Sequence, residues 1–134
     1  MVAFGRGSSP FGEAEAHYVK LLSRRQPVEV IAVRDDAELA RRIPAGADLV
    51  ALDRDGRRLD SLAWSRWLDE RRLAARELCF AIGGPGGLPA QVLEDSRERL
   101  SLGPQTMAHQ LARVVLLEQL FRAVKILAGE PYHY

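Results

Sequence analysis

The stretch Leu78-Cys79-Phe80-Ala81-Ile82-Gly83-Gly84-Pro85-Gly86-Gly87 decides the fold class of this chain. Its five consecutive apolar residues have the length of a buried strand, and the glycines and proline that follow predict a turn. A helix is predicted immediately afterwards, over residues 89–100. A short apolar strand that leads through a turn into a helix is typical of a parallel sheet.

The same alternation of strand and helix extends outward along the rest of the chain. Ser61 is expected as a helix N-cap, and Gly129 is well placed just after the last helix. The pattern predicts one α/β domain over residues 1–134, with a parallel sheet covered by helices on both faces. Strands are predicted at Met1–Phe4, Val28–Val33, Leu49–Leu52, Leu78–Ile82 and briefly near Leu102; helices are predicted at residues 12–25, 35–42, 61–75, 89–100 and 108–128.

Composition excludes several classes of protein. The 134 residues are 47% hydrophobic and 28% charged, as in an ordinary globular domain. No apolar run approaches the ~20 residues that span a bilayer. The lone cysteine, Cys79, allows no intrachain disulfide and no cysteine metal cluster, and no metal-ligand spacing is present. Met1–Gly5 lacks a signal-peptide pattern, so we expect a cytoplasmic protein without a metal.

The charge balance gives no general signal for a nucleic-acid partner, since the net charge is only +1. The cations are nevertheless unusual, because all but Lys20 and Lys125 are arginines. Arginine grips phosphates with a planar fork and stacks on bases. Either RNA binding or a biased genome composition explains this usage.

Three loops follow the predicted strands at their carboxyl ends, where ligands bind in parallel sheets. They are the turn at residues 53–56, the turn at residues 83–87 and the segment at residues 102–107. Glycine permits the close approach of a ligand to the backbone, but the glycine turn is neither GxGxxG nor a P-loop. A tight strand-to-helix connection explains it equally well.

Polar residues on the last helix and in the tail are the remaining candidates. Glu118 and Arg122 are four residues apart and can pair, either on a solvated surface or at an interface or site. His133 follows Tyr132 and could accept or position a proton, unless the tail is simply frayed. His109, at the start of the helix, is expected to have a structural role.

A set of local sequences resembles the ribosomal RNA large subunit methyltransferase H family, which belongs to the knotted SPOUT methyltransferases. The resemblance extends over nearly the whole chain and is most specific from Leu49 to His133. It rests on Val50-Ala51-Leu52-Asp53, Gly56, residues 80–88, Leu100-Ser101-Leu102, Thr106, residues 109–113, Leu117-Glu118-Gln119, Phe121-Arg122-Ala123 and residues 129–133.

The resemblance implies a homodimer whose single α/β domain has a C-terminal trefoil knot and binds S-adenosylmethionine. The implied activity is methylation of N3 of a pseudouridine in large-subunit ribosomal RNA, on the large ribosomal subunit or the assembled 70S ribosome. A knot is a rare exception to ordinary chain topology and could not be derived from periodicity.

The resemblance also assigns candidate site residues. Tyr132, His133 and Arg113 would face the substrate: His133 as base or proton-positioning group, Tyr132 as its stacking or orienting partner, and Arg113 as an anion stabiliser. The cofactor pocket would include Leu52, Gly83, Leu102, Gly103, Pro104, Gln105, Thr106 and Met107.

Several departures from the family and two rival functions accompany this interpretation. The segment between Val33 and Leu49 is shorter than is typical of the family. Tyr134 stands where a basic residue is usual, and Gly103-Pro104-Gln105 is unusual within the cofactor loop. One rival is a catalytically silent, S-adenosylmethionine-binding dimer that acts as a ribosome-associated or other interaction module. The other is a generic nucleotide-binding α/β protein, which the lack of a phosphate-loop lysine disfavours.

Overall fold

The chain alternates strands with helices along its whole described length. The computed structural model describes residues 1–5 and 9–132, so His133 and Tyr134 lie outside the described residues. The strands are β1 (Val2–Phe4), β2 (Ile31–Val33), β3 (Asp48–Arg58), β4 (Leu78–Ile82) and β5 (Glu98–Ser101); the helices are α1 (Gly12–Leu22), α2 (Asp36–Arg42), α3 (Ser61–Leu73), α4 (Ala90–Asp95) and α5 (His109–Leu127).

The five strands form one sheet in the order β2-β1-β4-β3-β5, and every neighbouring pair is parallel. Helices α1, α3 and α5 contribute to the apolar cluster on one face, where Val50 and Phe80 point. Helices α2 and α4 contribute to the cluster on the other face, where Leu49 and Cys79 point. Because successive strand residues alternate between faces, this arrangement explains the continuous apolar runs. The predicted α/β fold with helices on both faces is confirmed.

The prediction of a helix over residues 89–100 is wrong for the second half of that range. α4 ends at Asp95, and Ser96 adopts extended backbone angles while its hydroxyl donates a 2.6 Å hydrogen bond to the Leu93 carbonyl. Residues 98–101 then form β5, which pairs with β3 and buries Leu100. The fifth strand predicted near Leu102 is therefore real but lies earlier in the chain.

The turn predicted at residues 53–56 lies within the long strand β3, whose pairing with β5 shifts register between Leu52 and Arg57. The N-cap of α3 is Asp60, one residue before the predicted Ser61, and its carboxylate accepts a 2.8 Å hydrogen bond from the Ala63 amide. The predicted role of Gly129 is confirmed, because it has φ +69° and donates to the Ile126 carbonyl. No helix in the described part of the chain has the length and apolar character needed to cross a membrane.

Candidate functional site

A cavity of about 390 Å³ lies at the carboxyl ends of β3, β4 and β5. All three loops that the sequence singled out contribute to its wall. A second cavity, of about 430 Å³, opens beside Met1 and Leu78, at the amino ends of the strands. Ligands of parallel sheets bind at the carboxyl ends, so the first cavity is the candidate site. Its lining residues are 52–55, 82–88, 102–103, 105–107, His109 and Ala112.

The residues that the sequence analysis assigned to a cofactor pocket come together around this cavity. They come from three separate parts of the chain that only the fold brings together. Pro104 is the exception, since it does not line the cavity although both of its neighbours do. The seven that line it are Leu52, Gly83, Leu102, Gly103, Gln105, Thr106 and Met107.

The glycine turn after β4 is shaped by Gly83. A Cβ at this position would lie 2.5 Å from the carbonyl carbon of Gly87, far inside van der Waals contact. The Gly87 amide donates a 2.9 Å hydrogen bond to the Gly84 carbonyl, which closes the turn. By contrast, a Cβ at Gly86 would meet no atom within 4 Å. Gly83 is thus the residue whose missing side chain lets the turn fold back against the end of β4.

The loop after β5 is held at its first turn by Ser101. The Ser101 hydroxyl accepts a 3.0 Å hydrogen bond from the Gly103 amide and donates one of 3.0 Å to the Gly103 carbonyl. Gly103 has φ +133°, a backbone conformation that favours glycine. The buried serine therefore fixes the direction in which residues 102–107 leave the sheet.

Several cavity residues were missed by sequence reasoning. His109, expected to be structural, lines the cavity from the first turn of α5. Its imidazole lies so close to Gly5 that a Cβ there would be 2.6 Å from its Cδ2 atom. Asp53 and Asp55 also line the cavity. Their position just after the apolar part of β3 was the available signal, because that is where a parallel sheet binds its ligand.

Arg113 is buried beside the cavity rather than lining it. Its Nη2 donates a 2.8 Å hydrogen bond to the Gly5 carbonyl, and its Nη1 lies 3.4 Å from the Glu15 carboxylate. Its side chain is only 5% exposed. The guanidinium therefore ties α5 to the end of β1 and to α1, and within the described chain it is not presented to a substrate.

Tyr132 packs against the far part of α5. Its ring meets Phe121 edge-on at 5.3 Å between centroids, and the Arg122 guanidinium lies 4.3 Å from the ring centroid. Burial raises the pKa of the phenol, and the nearby charge of Glu118, to which it hydrogen-bonds, raises it further. Tyr132 is therefore a neutral hydrogen-bond donor at physiological pH. Phe121 is nine residues beyond Ala112, about 13 Å along the helix, so Tyr132 does not reach the cavity of its own chain.

The segment before Tyr132 is anchored by Glu130. Its carboxylate accepts hydrogen bonds from Arg25, three residues after α1 ends, and from Lys125 Nζ at 2.6 Å. These hydrogen bonds, the one from Arg25 first, lower the pKa of Glu130 to about 2. The predicted catalytic residue His133 lies outside the described residues, three positions further on.

Glu118 and Arg122, predicted to pair, are joined by hydrogen bonds of 2.6 Å and 3.1 Å. Both side chains are less than one-fifth exposed, so the pair is not an ordinary solvated surface contact. Within residues 1–5 and 9–132, no cluster of three or more histidine, cysteine, aspartate or glutamate side chains is arranged to hold a metal ion.

The fold and the cavity define a class: a parallel α/β sheet with a cavity at the carboxyl ends of three of its strands. A family model described as "Predicted SPOUT methyltransferase" matches residues 1–133. The chain belongs to the SPOUT methyltransferases, and within them to the ribosomal RNA large subunit methyltransferase H family.

Relatives of this chain from several bacteria carry the name "Ribosomal RNA large subunit methyltransferase H". The protein from Rubrobacter xylanophilus is 46% identical over 152 aligned residues, covering 100% of this chain and 96% of the relative. The one from Gemmatimonas aurantiaca is 46% identical over 110 residues, covering 82% and 71%. The one from Solidesulfovibrio magneticus is 41% identical over 149 residues, covering 100% and 97%.

Proposed function

We propose that this chain transfers a methyl group from S-adenosylmethionine to N3 of a pseudouridine in large-subunit ribosomal RNA, acting on the assembled ribosome. One observation carries the proposal: the cavity at the carboxyl ends of the strands is built from the same loops to which the family resemblance assigns the cofactor. Family membership supports methyl transfer, and the names of the relatives support ribosomal RNA as the acceptor.

The residues around the cavity fit S-adenosylmethionine. The volume of about 390 Å³ lies within the range of small-molecule sites. The backbone of the glycine turn and of residues 102–107 offers hydrogen-bonding groups, and Leu52, Ile82 and Met107 offer apolar contact. Asp53 and Asp55 carry the charge opposite to that of a sulfonium or an ammonium group. The chemistry supplied by the cofactor when bound is a methyl group already activated on a positively charged sulfur.

The chain must then orient the acceptor and remove the proton from N3. Loops that wrap the cavity exclude water and align the two reactants. We assign proton removal to His133, with Tyr132 as its stacking or orienting partner. His109 provides a second candidate, because it is a histidine on the cavity wall. We assign Arg113 the role of positioning α5 against the end of β1 and α1, since its guanidinium already binds the Gly5 carbonyl and Glu15.

The proposal includes a homodimer. Tyr132 packs against Phe121, which lies about 13 Å along α5 from the cavity residue Ala112, so the tail would serve the cavity of a partner subunit. Val114 and Val115 support an interface on this part of α5. They are only half-buried in the single chain and share a helical face with Glu118 and Arg122.

The proposal also includes the trefoil knot of the family. A Cβ at Gly56 would lie 2.7 Å from the backbone carbonyl carbon of Arg99. The end of β3 therefore approaches the backbone of β5 at a separation that only glycine allows. Membership of the SPOUT family supports a threaded chain, which is a rare exception to ordinary topology.

The test is mass mapping of ribosomal RNA nucleosides from cells with and without the gene. Loss of one N3-methylated pseudouridine supports the proposed substrate and reaction together, whereas an unchanged map contradicts both. Purified His133→Ala and His109→Ala variants then identify the base. The assignment to His133 predicts that only His133→Ala loses single-turnover methylation while cofactor affinity is kept.

A further inference from the structure

The outer edge of the sheet carries a cluster of arginines. β5 is an edge strand, and Arg99 is exposed on it while Leu100 points into the core. The end of β3 pairs with β5 so that Arg58 lies opposite Ser101. Paired residues of parallel strands share a face, and Arg99 is two residues before Ser101. Arg58 and Arg99 therefore project from the same face of the sheet.

These two arginines differ from their neighbours Arg57 and Arg97 in having no counterion within the described residues. Arg57 forms an ion pair with Glu98 at 3.3 Å, and Arg97 forms one with Asp48 at 3.2 Å. Within residues 1–5 and 9–132, neither Arg58 nor Arg99 has a carboxylate partner. The edge thus alternates neutralised arginines with arginines whose charge is uncompensated.

The uncompensated pair lies next to the candidate active site. Ser101, opposite Arg58, directly precedes Leu102 and Gly103 on the cavity wall. Arg54, exposed and on the same segment as Arg58, lines the cavity itself, between Asp53 and Asp55. Arg58 and Arg99 thus lie at the sheet edge next to the loops that line the cavity, where Arg54 is flanked by Asp53 and Asp55.

We propose that Arg58 and Arg99 bind phosphates of the ribosomal RNA backbone and so set the approach of the target nucleotide to the cavity. The inference rests on the proposed function and adds the docking surface. The guanidinium fork matches phosphate geometry, and phosphate contacts fix register without reading sequence. A chain with net charge +1 has no general basic field, so its attraction for RNA must come from such local charges.

The test compares Arg58→Glu/Arg99→Glu with Arg41→Glu/Arg42→Glu. The control changes the same amount of charge at exposed positions of α2, beside the opposite edge of the sheet. Methylation kinetics and cosedimentation with ribosomes are measured over a range of salt, and S-adenosylmethionine affinity is measured by calorimetry.

We expect the Arg58→Glu/Arg99→Glu variant to raise KM for ribosomes about tenfold or more, with kcat and cofactor affinity close to wild type. The salt slope, which is the slope of log binding affinity against log salt concentration, should fall in magnitude by about two. The control should match the wild type, and Arg58→Lys/Arg99→Lys should keep most of the salt slope. If Arg58→Glu/Arg99→Glu and Arg41→Glu/Arg42→Glu weaken ribosome binding equally, the inference is overturned. Aggregation with unchanged ribosome affinity of the soluble fraction also overturns it, and would assign the arginines to protection of the strand edge.

The failure of the proposed function gives a different result. If the wild-type chain cosediments with ribosomes through Arg58 and Arg99 but transfers no methyl group, the proposed enzymatic activity is contradicted. The proposed RNA-binding role of the two arginines is then still supported. A wild-type chain that does not bind ribosomes overturns both.

Discussion

The guanidinium of Arg113 donates a 2.8 Å hydrogen bond to the carbonyl of Gly5, which is 108 residues earlier in the chain. This contact joins the first strand to the helix that closes the cavity, and His109 packs against Gly5 from the same helix. A side chain that looks like an anion-binding group in the sequence thus holds the protein's own backbone.

Replacing Arg113 by methionine should destabilise the fold. The Gly5 carbonyl and Glu15 would lose their buried partner, at a cost of about 2 kcal/mol. Chemical denaturation measures this, with Arg66→Met on the exposed side of α3 as the control, expected within about 0.5 kcal/mol of wild type. Full stability combined with lost ribosome binding would instead make Arg113 a direct RNA contact.

Replacing Gly83 by alanine should abolish or strongly weaken cofactor binding. The new Cβ would collide with the backbone at Gly87, and the turn on the cavity wall would have to open. Calorimetry should show affinity for S-adenosylmethionine at least about tenfold weaker, which corresponds to ~1.4 kcal/mol. Gly86→Ala is the matched control, because its Cβ would enter open space. Equal affinities of the two variants would refute the role given to this turn.

Replacing Ser101 by alanine should loosen the loop after β5. The Gly103 amide would lose its acceptor, which costs about 1 kcal/mol and should appear as severalfold weaker cofactor binding. Ser23→Ala, which removes an exposed hydroxyl at the end of α1, should leave affinity unchanged. Unaltered binding by the Ser101 variant would show that the loop is oriented by other contacts.

The stabilisation that Glu130 provides to the segment before Tyr132 should be lost at low pH. The pKa of Glu130 is lowered to about 2 from an ordinary 4.5, so its stabilising effect is present above pH 4.5 and is lost as pH falls towards 2. The difference in Tm between wild type and Glu130→Gln should therefore be constant near neutrality and disappear over that window. Glu94→Gln, which removes an exposed carboxylate with no ion-pair partner in the described chain, is the matched control. A difference that persisted at pH 2 would contradict the charge-based anchor.

The α/β fold class could be predicted from the sequence, because apolar strands and helical spacing are local signals. The sequence was insufficient for β5, where Arg99 and Glu98 beside Leu100 fit a helical pattern as well as an alternating strand. Only pairing with β3 decides between them. Helix α4 is accordingly shorter than predicted.

The candidate site likewise contains residues that could be assigned from the sequence and residues that could not. Gly83 and the loop at residues 102–107 could be assigned because loops after parallel strands meet at one edge of the sheet. The orientation of Arg113 depends on Gly5, and the position of His109 depends on how α5 crosses the sheet. Long-range contacts of this kind leave no periodic pattern in a single sequence.

The most direct test of the central claim is methyl transfer by the purified chain from isotopically labelled S-adenosylmethionine to ribosomes isolated from cells that lack the gene. Nuclease digestion and mass spectrometry then locate the label. The proposed function predicts a single labelled methyl group per ribosome, on N3 of a pseudouridine in the large-subunit RNA. Label on any other nucleoside, or cofactor binding without transfer, would contradict it.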